Sequence, residues 1–258
     1  MANSVALVTG AGSGIGRAAA LALAADGYVV GVLGHTPEEN RRTVEEIEAN
    51  GGTAIELSAD VAHEEEMATA VDKLVSKHGR LDAVVANAGV NGVWAPIDEL
   101  EPKAFDHTIA INLRGTFLTI RASVPHLRAA GGGSIVVVSS INGTRTFSSP
   151  GATAYTATKA AQLAMVQQLA PELGKSSIRI NAVCPGAIDT EIDDNTDIRH
   201  ADKSGIESEW PEGQIPLTGG VPGRSEDVAA VIAFLISEKA RHVTGTPVWV
   251  DGGQGLLR

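Results

Sequence analysis

The chain holds a single cysteine, Cys184, among its 258 residues, so no disulfide can form within it. Its stability has to come from a buried core, and a reducing compartment suits it. Aromatic residues supply only 3% of the sequence, although hydrophobic residues of all kinds reach 43%. The core is therefore built from Val, Ile, Leu and Ala, a composition that fits strands covered by helices on both faces. Long apolar runs are lacking too, since none approaches the roughly 20 residues that cross a bilayer. Positive charge is scarce: 20 Lys and Arg face 31 Asp and Glu, for a net charge of −11. That balance disfavours nucleic acid, whose phosphates demand clustered cations. It equally disfavours an anionic membrane surface. The chain runs almost directly into Val5-Ala6-Leu7-Val8, which leaves no room for a signal peptide before a first strand. The expected location is the cytoplasm.

What is present is a rhythm. Short aliphatic runs at Val5 to Thr9, Tyr28 to Leu33, Thr53 to Leu57, Leu81 to Ala86, Ser134 to Ser139, Ile178 to Val183 and Pro247 to Val250 read as strands. Amphipathic stretches separate them: one from near Ile15, then Pro37 to Asn50, Glu64 to His78 and Pro102 to Ala130. Alternation at this pitch predicts parallel strands joined by right-handed crossovers. The expected fold is α/β: a Rossmann-type doubly wound sheet of about seven parallel strands with helices on both faces. Residues 1–258 read as a single dinucleotide-binding domain. One segment, 188–224, breaks the rhythm with polar, acidic and Gly/Pro-containing sequence, and is expected to form a lid over a site.

Two features carry chemistry. Thr9-Gly10-Ala11-Gly12-Ser13-Gly14-Ile15-Gly16 follows the first strand and opens a helix. Such glycines let backbone N–H groups approach a pyrophosphate at the helix N-terminus. The spacing of Gly10, Gly14 and Gly16 differs from G-x-G-x-x-G, and no Lys-Ser/Thr ending marks a triphosphate loop. An acid after the second strand would hold the adenosine ribose hydroxyls, but Gly34-His35-Thr36 stands there. No Lys or Arg occupies Ser13 to welcome a 2′-phosphate, so NAD against NADP stays open. His35, Thr36, Arg41 and Arg42 could contact a phosphate. Asp60-Val61, past the third strand, could meet the adenine, or Asp60 could cap the next helix.

The second feature is Tyr155-Thr156-Ala157-Thr158-Lys159. Spacing of four puts a phenol and an ammonium on one helical face. Moving a tyrosine pKa from about 10 to near 7 needs ~4 kcal/mol of selective phenolate stabilisation. A cation at about 4 Å supplies ~4 kcal/mol at an effective dielectric near 20.

With these residues in hand, the chain resembles the short-chain dehydrogenase/reductase family from Thr9 to Gly253. The resemblance rests on Gly10, Gly14 and Gly16, Asn87-Ala88-Gly89, Asn112, Ser140, the Tyr155-x-x-x-Lys159 pair, Asn181 and Pro185-Gly186. It implies a role for each. Tyr155 is the acid/base, and Lys159 lowers its pKa and bonds the cofactor ribose. Ser140, rather than Ser139, holds the substrate oxygen, and Asn112 steadies a water that relays protons. Asn87, Ala88 and Gly89 support the sheet beside NAD or NADP. Pro185, Ile188 and Thr190 contact the nicotinamide half. It also implies a homotetramer packed through the helices at Pro102 and Tyr155.

The substrate is expected to be a small polar alcohol or ketone. Asn91, Trp94, Asn142, Arg145, Glu191 and Trp210 are the candidate pocket walls. The family's 3-oxoacyl-carrier-protein reductases are the rival reading. They bind an acidic partner and need a basic landing surface, for which Arg121, Arg128 and Lys175 are available. From other classes come a non-catalytic nucleotide-sensing or scaffold protein, and a methyltransferase. The loop from Ile141 to Ala154 is longer than the family pattern. The seven His residues form no metal-binding pattern, and Cys184 reads as a core residue. Pro171 lies inside the helix that begins near Tyr155, so a kink or early end is expected near Gln167 to Pro171.

Overall fold

The computed structural model describes residues 4–147, 149–190, 192, 196–205 and 215–257, without the side chains of 201 and 202. Two candidate wall residues, Glu191 and Trp210, lie outside the described residues. The elements alternate as the aliphatic runs require. Strand β1 (Val5–Thr9) leads into α1 (Gly14–Ala25), β2 (Val29–Gly34), α2 (Pro37–Ala49), β3 (Thr53–Ser58), α3 (Glu64–His78) and β4 (Ala83–Ala86). Then come β5 (Gly92–Trp94), α4 (Pro102–Thr108), a π-helical turn (Ile109–Arg114), α5 (Gly115–Ala129), β6 (Gly133–Val138) and α6 (Thr153–Gly174). The chain closes with β7 (Ile178–Pro185), β8 (Ile188–Asp189), β9 (Thr196–Ile198), α7 (Ala201–Ser204), β10 (Gly223–Arg224), α8 (Ser225–Ile236) and β11 (Pro247–Val250).

Seven strands form one sheet in the order β11-β7-β6-β4-β1-β2-β3, and every neighbour is parallel. Strand order reverses between β1 and β4, and in doubly wound sheets such a reversal marks the ligand crevice at the carboxyl ends of the strands. Two apolar layers sandwich the sheet. One gathers Leu7, Leu57, Leu74, Leu127, Ile135 and Ile180 beneath α3, α5 and α6. The other gathers Val8, Leu23, Val32, Ile47, Ile232 and Leu235 beneath α1, α2 and α8. Successive strand residues point to opposite faces, so Leu7 and Val8 enter different layers.

The long helix expected from Pro102 to Ala130 is interrupted. Six residues around Asn112 widen into a π turn, a form found mostly at functional positions. Asn112 holds the distortion: its carbonyl accepts from Gln162 Nε2 at 2.8 Å and from Thr116 Oγ1 at 2.7 Å. The early end expected near Pro171 does not occur, because α6 runs on to Gly174. Ala170 and Leu173, on either side of the proline, are both buried in the core, and that packing keeps the last turn helical. Pro125 likewise sits inside α5 without ending it.

The described residues of the segment 188–224 are more regular than its composition suggests. Its two ends are stapled together, with Ile188 opposite Gly223 and Asp189 opposite Arg224. Its middle reaches across to pair Thr196, Asp197 and Ile198 with Gly92, Val93 and Trp94.

Helix α1 enters against the glycine turn so closely that a Cβ on Gly16 would overlap the Gly10 carbonyl oxygen and crowd Asn87 Nδ2 at 2.5 Å. Gly16→Ala should therefore destabilise the fold by ~3 kcal/mol or more. Gly174→Ala meets no atom within 4 Å at the end of α6 and should stabilise by up to ~1 kcal/mol. Urea denaturation of the two variants checks the contrast, and equal effects would contradict it.

Candidate active site

The reversal point brings two turns together. Gly10, at φ +62°, ends β1, and a Cβ there would stand 2.9 Å from both Ala88 Cα and Asn87 Nδ2. Asn87 Nδ2 donates to the carbonyls of Thr9 (3.0 Å) and Gly10 (3.2 Å). Thr9 Oγ1 answers by accepting from the N–H groups of Asn87 and Ala88. These bonds tie the turn after β4 to the turn after β1. Ser13, Gly14 and Ile15 then begin α1 with outward backbone N–H groups, the end of a helix that favours anions.

On the other side of the crevice stands α6. Tyr155 and Lys159 are both buried, and the Lys159 Nζ lies 5.4 Å from the Tyr155 ring centroid. The two groups face one another, as spacing of four requires. The ammonium donates to the Val138 carbonyl at 2.9 Å. Burial brings its pKa down from 10.5 to about 8. Gly89 leaves room beside it, since a Cβ there would be 3.2 Å from Asn112 Oδ1 and 3.7 Å from Lys159 Nζ. Trp94 packs against Tyr155 with centroids 6.3 Å apart.

The neighbouring serines have different surroundings. Ser139 Oγ donates to the Lys159 carbonyl at 2.8 Å and so fixes the helix to β6. Ser140 Oγ accepts from the Asn142 N–H at 3.1 Å. Asn112 is fully buried. Its amide donates to the Val90 carbonyl and to Thr158 Oγ1, and its Oδ1 accepts from Val90 N–H. Those bonds tie its side chain to the Val90 turn and to α6. Cys184 is buried too, and burial pushes its thiol up to about 11, which keeps it from acting as a nucleophile.

Other expected residues fall as follows. Pro185 ends β7 and its carbonyl accepts from Ile141 N–H, while Gly186 N–H donates to Val250. Ile188 lies in β8, and Thr190 Oγ1 accepts from Ile192 N–H at 3.4 Å. His35 lies beside Thr36, with Nδ1 and Oγ1 3.4 Å apart, and Arg41 turns toward Glu56 at 3.6 Å. Asp60 Oδ1 accepts from Ala62 N–H, so it closes a turn two residues on, whereas His63 is the cap residue of α3. Val61 is buried against Gly115, where a Cβ would meet it at 2.8 Å.

Of the described wall candidates, Asn91 and Trp94 lie together beside Tyr155. Asn91 Nδ2 donates to Thr196 Oγ1 at 2.7 Å, and Trp94 Nε1 donates to the Asn91 carbonyl at 3.1 Å. The other two are engaged elsewhere. Asn142 Oδ1 accepts from Thr146 and Ser149 within its own loop. The Arg145 guanidinium stacks 3.8 Å over the Trp249 ring and pairs with Asp251 at 3.5 Å. The extra length of this loop therefore braces the C-terminal strand. Residues the motifs did not single out also reach the site: Thr158 and Gln162 around Asn112, and Glu39, Asn40 and Thr43 from α2. Asn40 and Thr43 are buried with Ile47 on one helix face, and a polar pair three apart in an apolar stripe was the available signal.

A parallel sheet with a glycine turn and a buried Tyr-Lys pair at its reversal point defines a doubly wound oxidoreductase fold. A family model described as enoyl-(acyl carrier protein) reductase matches residues 10–254. The chain belongs to the short-chain dehydrogenases/reductases. It is 36% identical over 252 residues to the 3-oxoacyl-[acyl-carrier-protein] reductase of Staphylococcus aureus, covering 96% of each chain. It is 39% identical over 249 residues to an L-rhamnose 1-dehydrogenase (NAD(P)(+)) of Sphingomonas, covering 96% of this chain and 94% of that one. Among solved structures, a 3-ketoacyl-ACP reductase from Sinorhizobium meliloti superposes with a TM-score of 0.94 at 66% identity, over 98% of this chain and 100% of that one.

The position of Lys159 has a measurable cost. Its unfolded-state pKa exceeds its folded one, so the unfolded chain binds more protons between about 8 and 10.5, and this group's contribution to stability rises with pH across that window. Lys159→Met should gain on the wild type by up to about 3 kcal/mol at pH 7. The difference should shrink as pH climbs from 8 toward 10.5. Urea unfolding at several pH values checks this, and a flat difference would contradict it.

Proposed function

We propose that the protein moves a hydride between bound NAD or NADP and the carbon of a small polar secondary alcohol or ketone, with Tyr155 exchanging the proton. The observation that carries this reading is the buried ammonium of Lys159 beside the Tyr155 ring. The glycine turn fits a dinucleotide: Gly10 and Gly16 let the turns after β1 and β4 and the start of α1 pack in close contact, which sets the helix N-terminus at the place a pyrophosphate would take. Two relatives point the same way, one the L-rhamnose dehydrogenase named for NAD(P)(+). The other is a Brucella melitensis 3-ketoacyl-(acyl-carrier-protein) reductase complexed with NADH, 31% identical with a TM-score of 0.85 over 98% of each chain.

When bound, the dinucleotide accepts or supplies hydride at the nicotinamide ring. The chain's own residues do the rest. Tyr155 gives or takes the proton of the reacting oxygen. At about 5 Å and an effective dielectric near 20, the Lys159 charge stabilises a neighbouring anion by roughly 3 kcal/mol. Lys159 also bonds the cofactor ribose, and Ser140 steadies the reacting oxygen as its charge changes. Asn112 holds the Val90 turn, and with it the wall on which Lys159 and Gly89 meet. Asn87, Ala88 and Gly89 form the floor of the cofactor cleft. Pro185, Gly186, Ile188 and Thr190 bound its nicotinamide end. Within the segment 188–224, residues 196–198 pair with β5, whose Trp94 packs against Tyr155.

A second reading, a 3-oxoacyl-carrier-protein reductase, is favoured by the name of the 66% identical Sinorhizobium protein. Charge opposes it. Arg121 is paired with Glu64 at 2.5 Å, and near β9 the cations Arg199 and Lys203 pair with Asp197 and Glu99. Arg128 donates to Ser176 Oγ rather than to an acid, so it and Lys175 are what the expected landing surface retains. A cytoplasmic homotetramer belongs to the same proposal, supported by the exposed Phe117 on α5. Light scattering should give four subunits, and a strict monomer would remove that expectation.

Tyr155→Phe should lower kcat by roughly 10²–10⁴ while leaving NADH affinity near wild type. Near-normal turnover in that variant would overturn the assignment. A side-by-side panel of aldoses, polyols and acyl thioesters, followed at the nicotinamide absorbance, decides the substrate. Preference for the thioesters would replace the first reading with the second.

A further inference from the structure

This inference rests on the dinucleotide reading above and concerns which dinucleotide the site selects. In a doubly wound site the acid that grips the adenosine ribose stands at the end of the second strand. Here that place is Gly34, followed by His35 and Thr36. The space a side chain at 34 would occupy is filled by α2, since a Cβ on Gly34 would lie 2.5 Å from Asn40 Oδ1.

Asn40 is 1% exposed. Its Nδ2 donates to the carbonyls of Gly34 at 2.9 Å and Leu57 at 3.2 Å, which fixes the orientation of the amide. Its Oδ1 is buried and has no hydrogen-bond partner. An orphaned buried acceptor is unusual enough to require a donor. It is aimed at the seam between Gly34 and the middle of the glycine turn, because a Cβ on Gly12 would stand 3.3 Å from it. The same Gly12 position is approached by Glu39, whose Cβ and Oε2 would lie 2.7 Å and 3.1 Å away. Thr43 Oγ1 holds α2 in this pose by donating to the Ala11 carbonyl at 3.0 Å.

Two oxygen acceptors, one of them a carboxylate, thus converge on the centre of the turn. Two of the nearby cations are directed elsewhere: Arg17 pairs with Glu46, and Arg41 faces Glu56. We propose that Glu39, on a helix that Asn40 holds against β2 and β3, replaces the missing strand-end acid as the acceptor for the adenosine ribose hydroxyls and selects NAD over NADP. A ribose diol supplies donors to the exposed Glu39 carboxylate. A 2′-phosphate supplies none and brings negative charge against a carboxylate.

The test is calorimetric titration of the intact protein with NADH and NADPH, which reads binding rather than turnover. The wild type should bind NADH on the order of tenfold tighter than NADPH or better. Glu39→Gln should bring the two affinities within about threefold, and Glu39→Lys should invert the preference. Glu38→Gln, one residue away on the same exposed turn, should leave the ratio unchanged. Thermal melts confirm that each variant is folded. Equal binding of the two cofactors by the wild type overturns the proposal, and so does an unaltered ratio in Glu39→Gln. If neither nucleotide binds, the dinucleotide reading fails and this one falls with it.

Discussion

A charged amine held in a dry interior is the constraint around which this fold is arranged. Lys159 is 3% exposed, and an unpaired buried ammonium would simply give up its proton. The Val138 carbonyl at the end of β6 receives it, and Ser139 pins the Lys159 carbonyl to the same strand end. Helix α6 is thereby locked in rotation as well as position. Tyr155, one turn earlier, follows because the backbone between them is rigid. The depressed pKa of about 8 leaves the amine mostly charged at neutral pH, so its field remains available to an anion formed beside it.

A second network fixes the opposite wall. The π turn at Asn112 frees a carbonyl from the ordinary helical ladder, and Gln162 from α6 takes it. Asn112 in turn holds both backbone groups of Val90. The turn after β4, the long helix and α6 are therefore joined through one buried amide. A network of this kind is rigid only while every member is satisfied, and Gln162 Oε1 is left without a partner.

Much of this could be read from the amino acids because it depends on local rules. Aliphatic runs marked the seven sheet strands to within a residue or two, and Tyr155 to Lys159 announced a shared helical face. What escaped the sequence depends on tertiary partners. The π turn is tied to Val90 and Gln162, which converge on Asn112 from far along the chain. Pro171 signalled an end to the helix, but Ala170 and Leu173 had a core to enter. Arg145 carries a charge suited to a ligand, yet Trp249 and Asp251, more than a hundred residues on, had first claim. Glu39 sat in an acidic helix start that resembled any solvated surface until its proximity to Gly12 became visible.

The stapling of β8 to β10 separates two jobs. Ile188 and Gly223 lie side by side, and a further pairing ties Thr196–Ile198 against β5, so the frame holds the segment at a few backbone pairings. A loop held at fixed points can change length at a small entropic cost, while α6 stays anchored to β6. The fold thereby behaves as a socket with an exchangeable insert. In such an architecture, descent from a common ancestor can diversify what is recognised without rebuilding how it is transformed.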